Sequence, residues 1–212
     1  AGKSMRSRFI IAIDGPAGAG KSTVARRLAR RLGYRFLDSG ALYRTVTLAA
    51  LRAGLAPGDE EHVAAIARTL DIRLEGGPDD PRVLLGSDDV SAEIRGPAVS
   101  NAVSTVAALP LVREAMVPLQ KGVATDGGVV AEGRDIGTVV FPEADVKFYL
   151  DADPAERARR RADERGQRDV ESVQREIEAR DRDDTGRAVA PLRAAADAVV
   201  IATGGFGQLY AP

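Results

Sequence analysis

The stretch "IAIDGPAGAGKSTVARRLARRLG", Ile11 to Gly33, decides how the chain is read. It begins in an apolar run, "FIIAI" (Phe9–Ile13), short enough for a buried strand. It passes through a loop poor in side chains and continues as "KSTVARRLARRL". In that last piece Val24, Ala25, Leu28, Ala29 and Leu32 recur at helical spacing until Gly33. The loop "GPAGAGKS", Gly15–Ser22, fits G-x-x-x-x-G-K-[ST], in which successive backbone N–H groups point inward and cradle phosphates. The helix that follows adds the positive end of its dipole. Glycine at 15, 18 and 20 lets main chain approach an anion without Cβ atoms in the way. Lys21 would reach the outer phosphates and the Ser22 hydroxyl would face Mg²⁺. A chance match to this pattern is expected in roughly one such chain in 300. Gly15, Pro16, Ala17, Gly18, Ala19, Gly20, Lys21, Ser22 and Thr23 are therefore expected to hold the donor phosphates.

Working outward, "YRFL" reads as a second strand, and Asp38 or Ser39 can cap a helix running to about Arg52. Residues 59–70 read as helix, and "DIRLEGGPDDPRVLLG" as two short strands about a Gly/Pro turn. "PAVSNAVSTVAAL" and "PLVREAMVPLQKGV" are two helices opened by proline. "VVAEG", "VKFYL" and "AVVIAT" are further strands, with a charged helical stretch between the last two. Short apolar strands alternating with helices imply an α/β fold, a parallel sheet of five core strands wrapped on both faces. Residues 5–54, 128–152 and 188–212 would form the core. Residues 55–127 would form one insertion and 153–187 a second, polar one.

Composition narrows the function. The 212 residues carry a net charge of −1, which gives no overall attraction to nucleic acid or anionic membrane. No apolar run approaches a membrane span. Cysteine is absent, which removes thiolate chemistry and suits a reducing cytosol. Apart from Lys3, Lys21, Lys121 and Lys147 the cations are arginines, the side chain suited to bidentate phosphate binding. Residues 153–187 hold ten arginines against eleven acids, which speaks against a nucleic-acid patch. Within them Arg157, Arg161 and Arg165 share one helix face. A guanine-specific switch would carry N-K-x-D, but the one asparagine, Asn101, lies in no such motif. "DDTG" (Asp183–Gly186) follows no strand. A kinase for a small acceptor is the reading that remains, ahead of a nucleotide-dependent switch.

Four segments bear on the acceptor: "LDSGALYR" (Leu37–Arg44), "NAVSTVAALPLVREA" (Asn101–Ala115), "AEGRDIGTVVFPEADVKFYLDA" (Ala131–Ala152) and "RDRDDTGRAVAPL" (Arg180–Leu192). Together, and in this order, they resemble bacterial cytidylate kinase over nearly the whole chain. The resemblance implies a nucleoside monophosphate kinase that moves the γ-phosphoryl of ATP to CMP or dCMP with Mg²⁺. It implies an enlarged acceptor-binding insertion and a short arginine-bearing lid. Arg44, Arg134 and Arg187 would hold the acceptor phosphate. Ser104, Arg113 and Asp135 would read the pyrimidine, and Arg180 and Asp184 the ribose. Ser39 would border the acceptor. Lys21, Arg134, Arg157, Arg161 and Arg187 would steady the transferring group, and Asp14 or Asp135 would hold the metal's water shell. Without the resemblance Ser104 is a helix-surface serine, Arg113 a solvated cation and Asp38 a helix cap. UMP, AMP or shikimate is the alternative acceptor. A monomeric cytoplasmic enzyme without nucleic-acid or membrane partners is expected. The family places a helix after the last strand, but "GGFGQLYAP" has no helical period.

Overall fold

The computed structural model describes residues 8–203, the side chain at position 165 excepted. Strand β1 (Ile10–Asp14) leads through the glycine loop into α1 (Lys21–Leu32), β2 (Arg35–Asp38) and α2 (Ser39–Arg52). Then come α3 (Glu60–Thr69), β3 (Ile72–Glu75), β4 (Arg82–Leu85), β5 (Asp88–Asp89), α4 (Pro97–Ala108) and α5 (Pro110–Val123). The chain returns as β6 (Val129–Gly133), a π-helical turn (Ile136–Val140), β7 (Val146–Asp151), α6 (Pro154–Arg165), α7 (Val170–Gly186) and β8 (Val199–Ala202).

Five strands form one parallel sheet in the order β2-β6-β1-β7-β8. Every residue of β1 is buried, as a strand covered on both faces requires. Its side chains alternate between two cores. Ile10 and Ala12 pack with Leu37, Val46, Val112 and Met116 on one face. Ile11 and Ile13 pack with Ala25, Ala29, Val130 and Leu150 on the other. The sheet is thus wrapped by α1 on one side and by α2 and α5 on the other, the expected α/β architecture.

Local chemistry sets the helix ends. Asp38 accepts from the Ala41 N–H at 2.9 Å and caps α2, and Asp59 accepts from His62 N–H and caps α3. Proline opens both α4 and α5. Two features differ from the sequence expectation. The Gly/Pro-turn hairpin β3-β4 gains a third antiparallel strand, β5, too short and acidic to show a strand pattern. The charged stretch after β7 is two helices, because Gly166 adopts φ 63° and ends α6. The "GGFGQLYAP" segment lies outside the described residues. Among the described residues no single helix is long and apolar enough to cross a membrane.

The sheet order also positions the site. β1 and β6 are neighbours in register, with Ile13 opposite Glu132 and Asp14 opposite Gly133. Their outgoing connections diverge, one towards β2 and the other across β1 to β7. Open α/β sheets bind ligands in the crevice beyond such strand ends.

Candidate active site

The glycine loop leaves β1 at that crevice. Gly15 has φ 145°, and a Cβ there would lie 2.0 Å from the Leu150 carbonyl oxygen of β7, so the loop fits only without a side chain. Gly20 has φ 90° and stands at the N-cap of α1, with no side chain satisfying the first-turn N–H groups and no acidic residue among them. Those donors, together with the helix dipole, make an anion cradle.

Lys21 is buried and donates to the Pro16 carbonyl at 2.7 Å. Burial, helped by the nearby Arg134 charge, lowers its pKa to about 7, with Glu132 opposing the shift. A phosphate seated in the cradle would restore the ammonium.

The loop forms one wall of a cleft of about 610 Å³. Ala17, Gly18, Lys21, Ser22 and Thr23 line it on one side. Ser39, Tyr43, Arg44, Arg113, Arg134, Asp135, Arg161, Arg180, Asp184 and Arg187 line it elsewhere. Arginines from α2, the β6 loop and α7 therefore converge on one space. Asp184, with no exposed surface, is their counter-ion: it accepts from Arg134 Nε at 2.7 Å, pairs with Arg187, and lies 4.0 Å from Arg180. Burial alone would raise Asp184, but these guanidiniums outweigh it and hold the carboxyl below the usual range.

One aspartate does not neutralise the cluster. Burial, with Arg134 and Arg44 close by, lowers Arg180 to about 9, and burial with Arg161 close by lowers Arg44 to about 10. Arg180 Nε and Arg187 Nε are buried donors without a hydrogen-bond partner among the described residues. Buried donors of this kind are costly unless something accepts from them. The arrangement calls for an anion.

A second group occupies the far end. Arg113, buried, pairs with Asp135, donates to the Ala107 carbonyl at 3.2 Å, and stands 5.5 Å over the Tyr43 ring. Burial raises Asp135 although Arg113 pulls against it. The adjacent residues Arg134 and Asp135 thus have separate partners and form no pair with each other. Ser39 Oγ donates to Gln120 Oε1 at 2.8 Å.

Several expected residues stand elsewhere. Arg157 does not line the cleft. Its guanidinium donates to Ala152 O at 2.9 Å and Ala17 O at 3.1 Å and pairs with Asp181, so it braces the glycine loop from behind. Arg161, one turn on, does face the cleft and pairs with Glu164 at 3.1 Å. The Arg165 side chain lies outside the described residues. Ser104 is not among the residues lining the cleft, and its neighbours Val103 and Ala107 take that place from α4. Gly15, Pro16, Ala19 and Gly20 shape the loop without lining the cleft.

Both carboxylates expected to hold the metal's water shell already have protein partners. Both oxygens of Asp14 accept from backbone, Ile136 N–H and Gly137 N–H at 2.7 Å each, while burial pushes its pKa up to about 6. Asp135 is held by Arg113. The acid beside Ser22 and Lys21 is Glu132, buried at the carboxyl end of β6 and pushed up to about 7 by burial and Asp38. Sequence reasoning passed over it as a strand residue. Its place at a strand end before "GRD" was the available signal. Among the described residues no cluster of three or more acids or histidines could hold a metal by itself. A cation here would need the phosphates as well.

A phosphate loop on a parallel sheet, facing converging arginines across one cleft, defines a P-loop kinase acting on a small phosphorylated acceptor. The family follows from comparison. A family model described as cytidylate kinase matches residues 11–208. The cytidylate kinase of Geobacillus kaustophilus is 52% identical over 203 residues, covering 94% of this chain and 91% of that protein. That of Mycolicibacterium paratuberculosis is 50% identical over 204 residues, covering 94% and 90%. The chain belongs to the cytidylate kinase family. A solved structure from Thermus thermophilus, TT1252, is similar at TM-score 0.44 and 21% identity, covering 94% of this chain and 90% of that one, too distant to add to the assignment.

Proposed function

We propose that the chain transfers the γ-phosphoryl group of ATP to CMP or dCMP, with the donor on the glycine loop and the acceptor in the arginine-lined end of the cleft. The observation that carries this reading is the pair of opposed anion sites in one cavity, the amide cradle with Lys21 and the cluster of Arg44, Arg134, Arg180 and Arg187. Two highly charged nucleotides repel each other, so the protein must supply positive charge and hold the reacting oxygens in line. Lys21 would reach the donor's outer phosphates. Arg187 and Arg180, each with an unshared Nε donor, would grip the acceptor phosphate as Asp184 yields part of its hold.

The acceptor oxygen is already anionic, so no general base is required. Ser22 and Glu132 offer the hard oxygen ligands and water contacts that Mg²⁺ takes, and the cation would neutralise charge on the β- and γ-oxygens. Residues 153–187 serve as the lid. Arg161 is its arginine facing the transferring group, while Arg157 holds the lid's first helix against the loop. Closure would exclude water that otherwise hydrolyses ATP. Residues 55–127 form the acceptor-binding insertion, and Arg113 with Asp135 gives that end of the cleft its base-reading pair.

A coupled assay with ATP and a panel of CMP, dCMP, UMP, AMP and shikimate tests the proposal. CMP and dCMP are expected to give the highest kcat/KM. A higher value for AMP or shikimate, or ATP hydrolysis indifferent to CMP, overturns it.

A further inference from the structure

Behind the cleft wall, Gln120 of α5 is fully buried and does not itself line the cavity, but it backs Ser39, which does. A buried glutamine is costly unless both ends of its amide are satisfied. Both are. Its Nε2 donates to the Met116 carbonyl one turn back at 3.3 Å, and its Oε1 accepts from Ser39 Oγ at 2.8 Å. A carbonyl can only accept, so the Met116 contact fixes which end of the amide is nitrogen and turns the oxygen towards Ser39. The single hydroxyl proton of Ser39 is thereby committed backwards, away from the cleft that Ser39 lines. What Ser39 presents to a ligand is lone pairs.

We infer that Gln120 is a positioning residue that makes Ser39 an obligate hydrogen-bond acceptor, and that this selects an acceptor nucleotide whose base carries an exocyclic amino group over one carrying a carbonyl at the same place. The inference rests on the proposed function, and it places Ser39, expected to border the acceptor, beside the acceptor's base. Its neighbours agree with that: Tyr43, one turn along α2, packs under Arg113, which pairs with Asp135. The cytosine 4-amino group donates to Ser39. The uracil 4-carbonyl meets only lone pairs there, and neither group can supply the missing proton. A site built for a donor rejects an isosteric acceptor more strongly than a difference in size would achieve.

The test measures kcat/KM for CMP and for UMP in the wild type and in Gln120→Met, Gln120→Glu and Ser39→Ala. Gln120→Met keeps the volume but frees the Ser39 proton, so the CMP/UMP ratio should fall by roughly 10-fold. Part of that fall should come from an absolute rise in kcat/KM for UMP. Gln120→Glu retains an oxygen facing Ser39 and should hold the ratio near the wild-type value. Ser39→Ala should lower the ratio, and adding Gln120→Met to it should lower the ratio no further, since both act through one hydroxyl. If Gln120→Met does not fold, Gln120→Leu takes its place with the same expectation. A purely structural glutamine would depress both acceptors equally and leave the ratio unchanged, and that result overturns the inference. A wild-type ratio in Ser39→Ala would instead overturn the placement of Ser39 beside the base. A lowered ratio in Ser39→Ala with none in Gln120→Met removes the role of Gln120 alone.

Discussion

At the scale of single residues, neighbours in sequence play unlike parts because the fold hands them different partners. Arg157 and Arg161 lie one turn apart on α6, yet the first is buried against the glycine loop and the second faces the cleft. Arg157→Ala would leave Asp181 and the Ala17 and Ala152 carbonyls without their buried cation, a loss of about 3–5 kcal/mol in stability. Its melting temperature should drop by several degrees. Arg161→Ala should melt like the wild type and lose roughly 10²- to 10³-fold in kcat. Equal melting temperatures for the two variants would put Arg157 back in the cleft. The helical period showed that these arginines share a face. Which one meets the loop depends on where α6 lands, and a local pattern carries no such information.

Elements fit one another here through main chain as much as through side chains. The glycine loop rests against β7 so closely that a methyl group at Gly15 would meet the Leu150 carbonyl oxygen at 2.0 Å, in a backbone conformation that L residues avoid. Gly15→Ala should therefore displace the loop and weaken ATP binding at least 10-fold, as read by titration of a non-hydrolysable ATP analogue. Unchanged affinity would mean that the loop tolerates the shift. The loop itself was legible in the sequence because its chemistry is local: strand, glycines, lysine, helix. The arginines that line the cleft were legible only as scattered segments brought together by likeness to a family. Glu132 was not read as a site residue at all, because its contact with Ser22 depends on the register of β6 against β1, more than a hundred residues away in sequence. For the same reason β5, two acidic residues paired to β4, left no pattern to find.

For the molecule as a whole, the site's buried charges set how stability follows pH. Asp14 and Glu132 rise from ordinary values of 3.8 and 4.5 to about 6 and about 7. The folded state then keeps protons that the unfolded chain has lost. The stability these carboxyls contribute is complete below pH 4 and is lost as pH climbs through 6 to 7. Lys21 acts in the opposite sense. Lowered from 10.5 to about 7, it makes the unfolded chain the better proton binder between those values, so stability returns as pH rises above 7. Nucleotide-free protein should show a shallow minimum in melting temperature near pH 7. Glu132→Gln should flatten the acid side of that minimum, and an unchanged slope between pH 4.5 and 7 would show that Glu132 is not held protonated.

On the proposed function, one cleft holds two separate phosphate sites, an amide cradle for the donor and a guanidinium cluster for the acceptor. Calorimetric titration of Arg187→Ala with CMP and with a non-hydrolysable ATP analogue tests it most directly. CMP affinity is expected to weaken by roughly 10- to 100-fold, with the ATP analogue binding within a factor of three of wild type. Equal loss of both ligands, or loss of the ATP analogue alone, would contradict it.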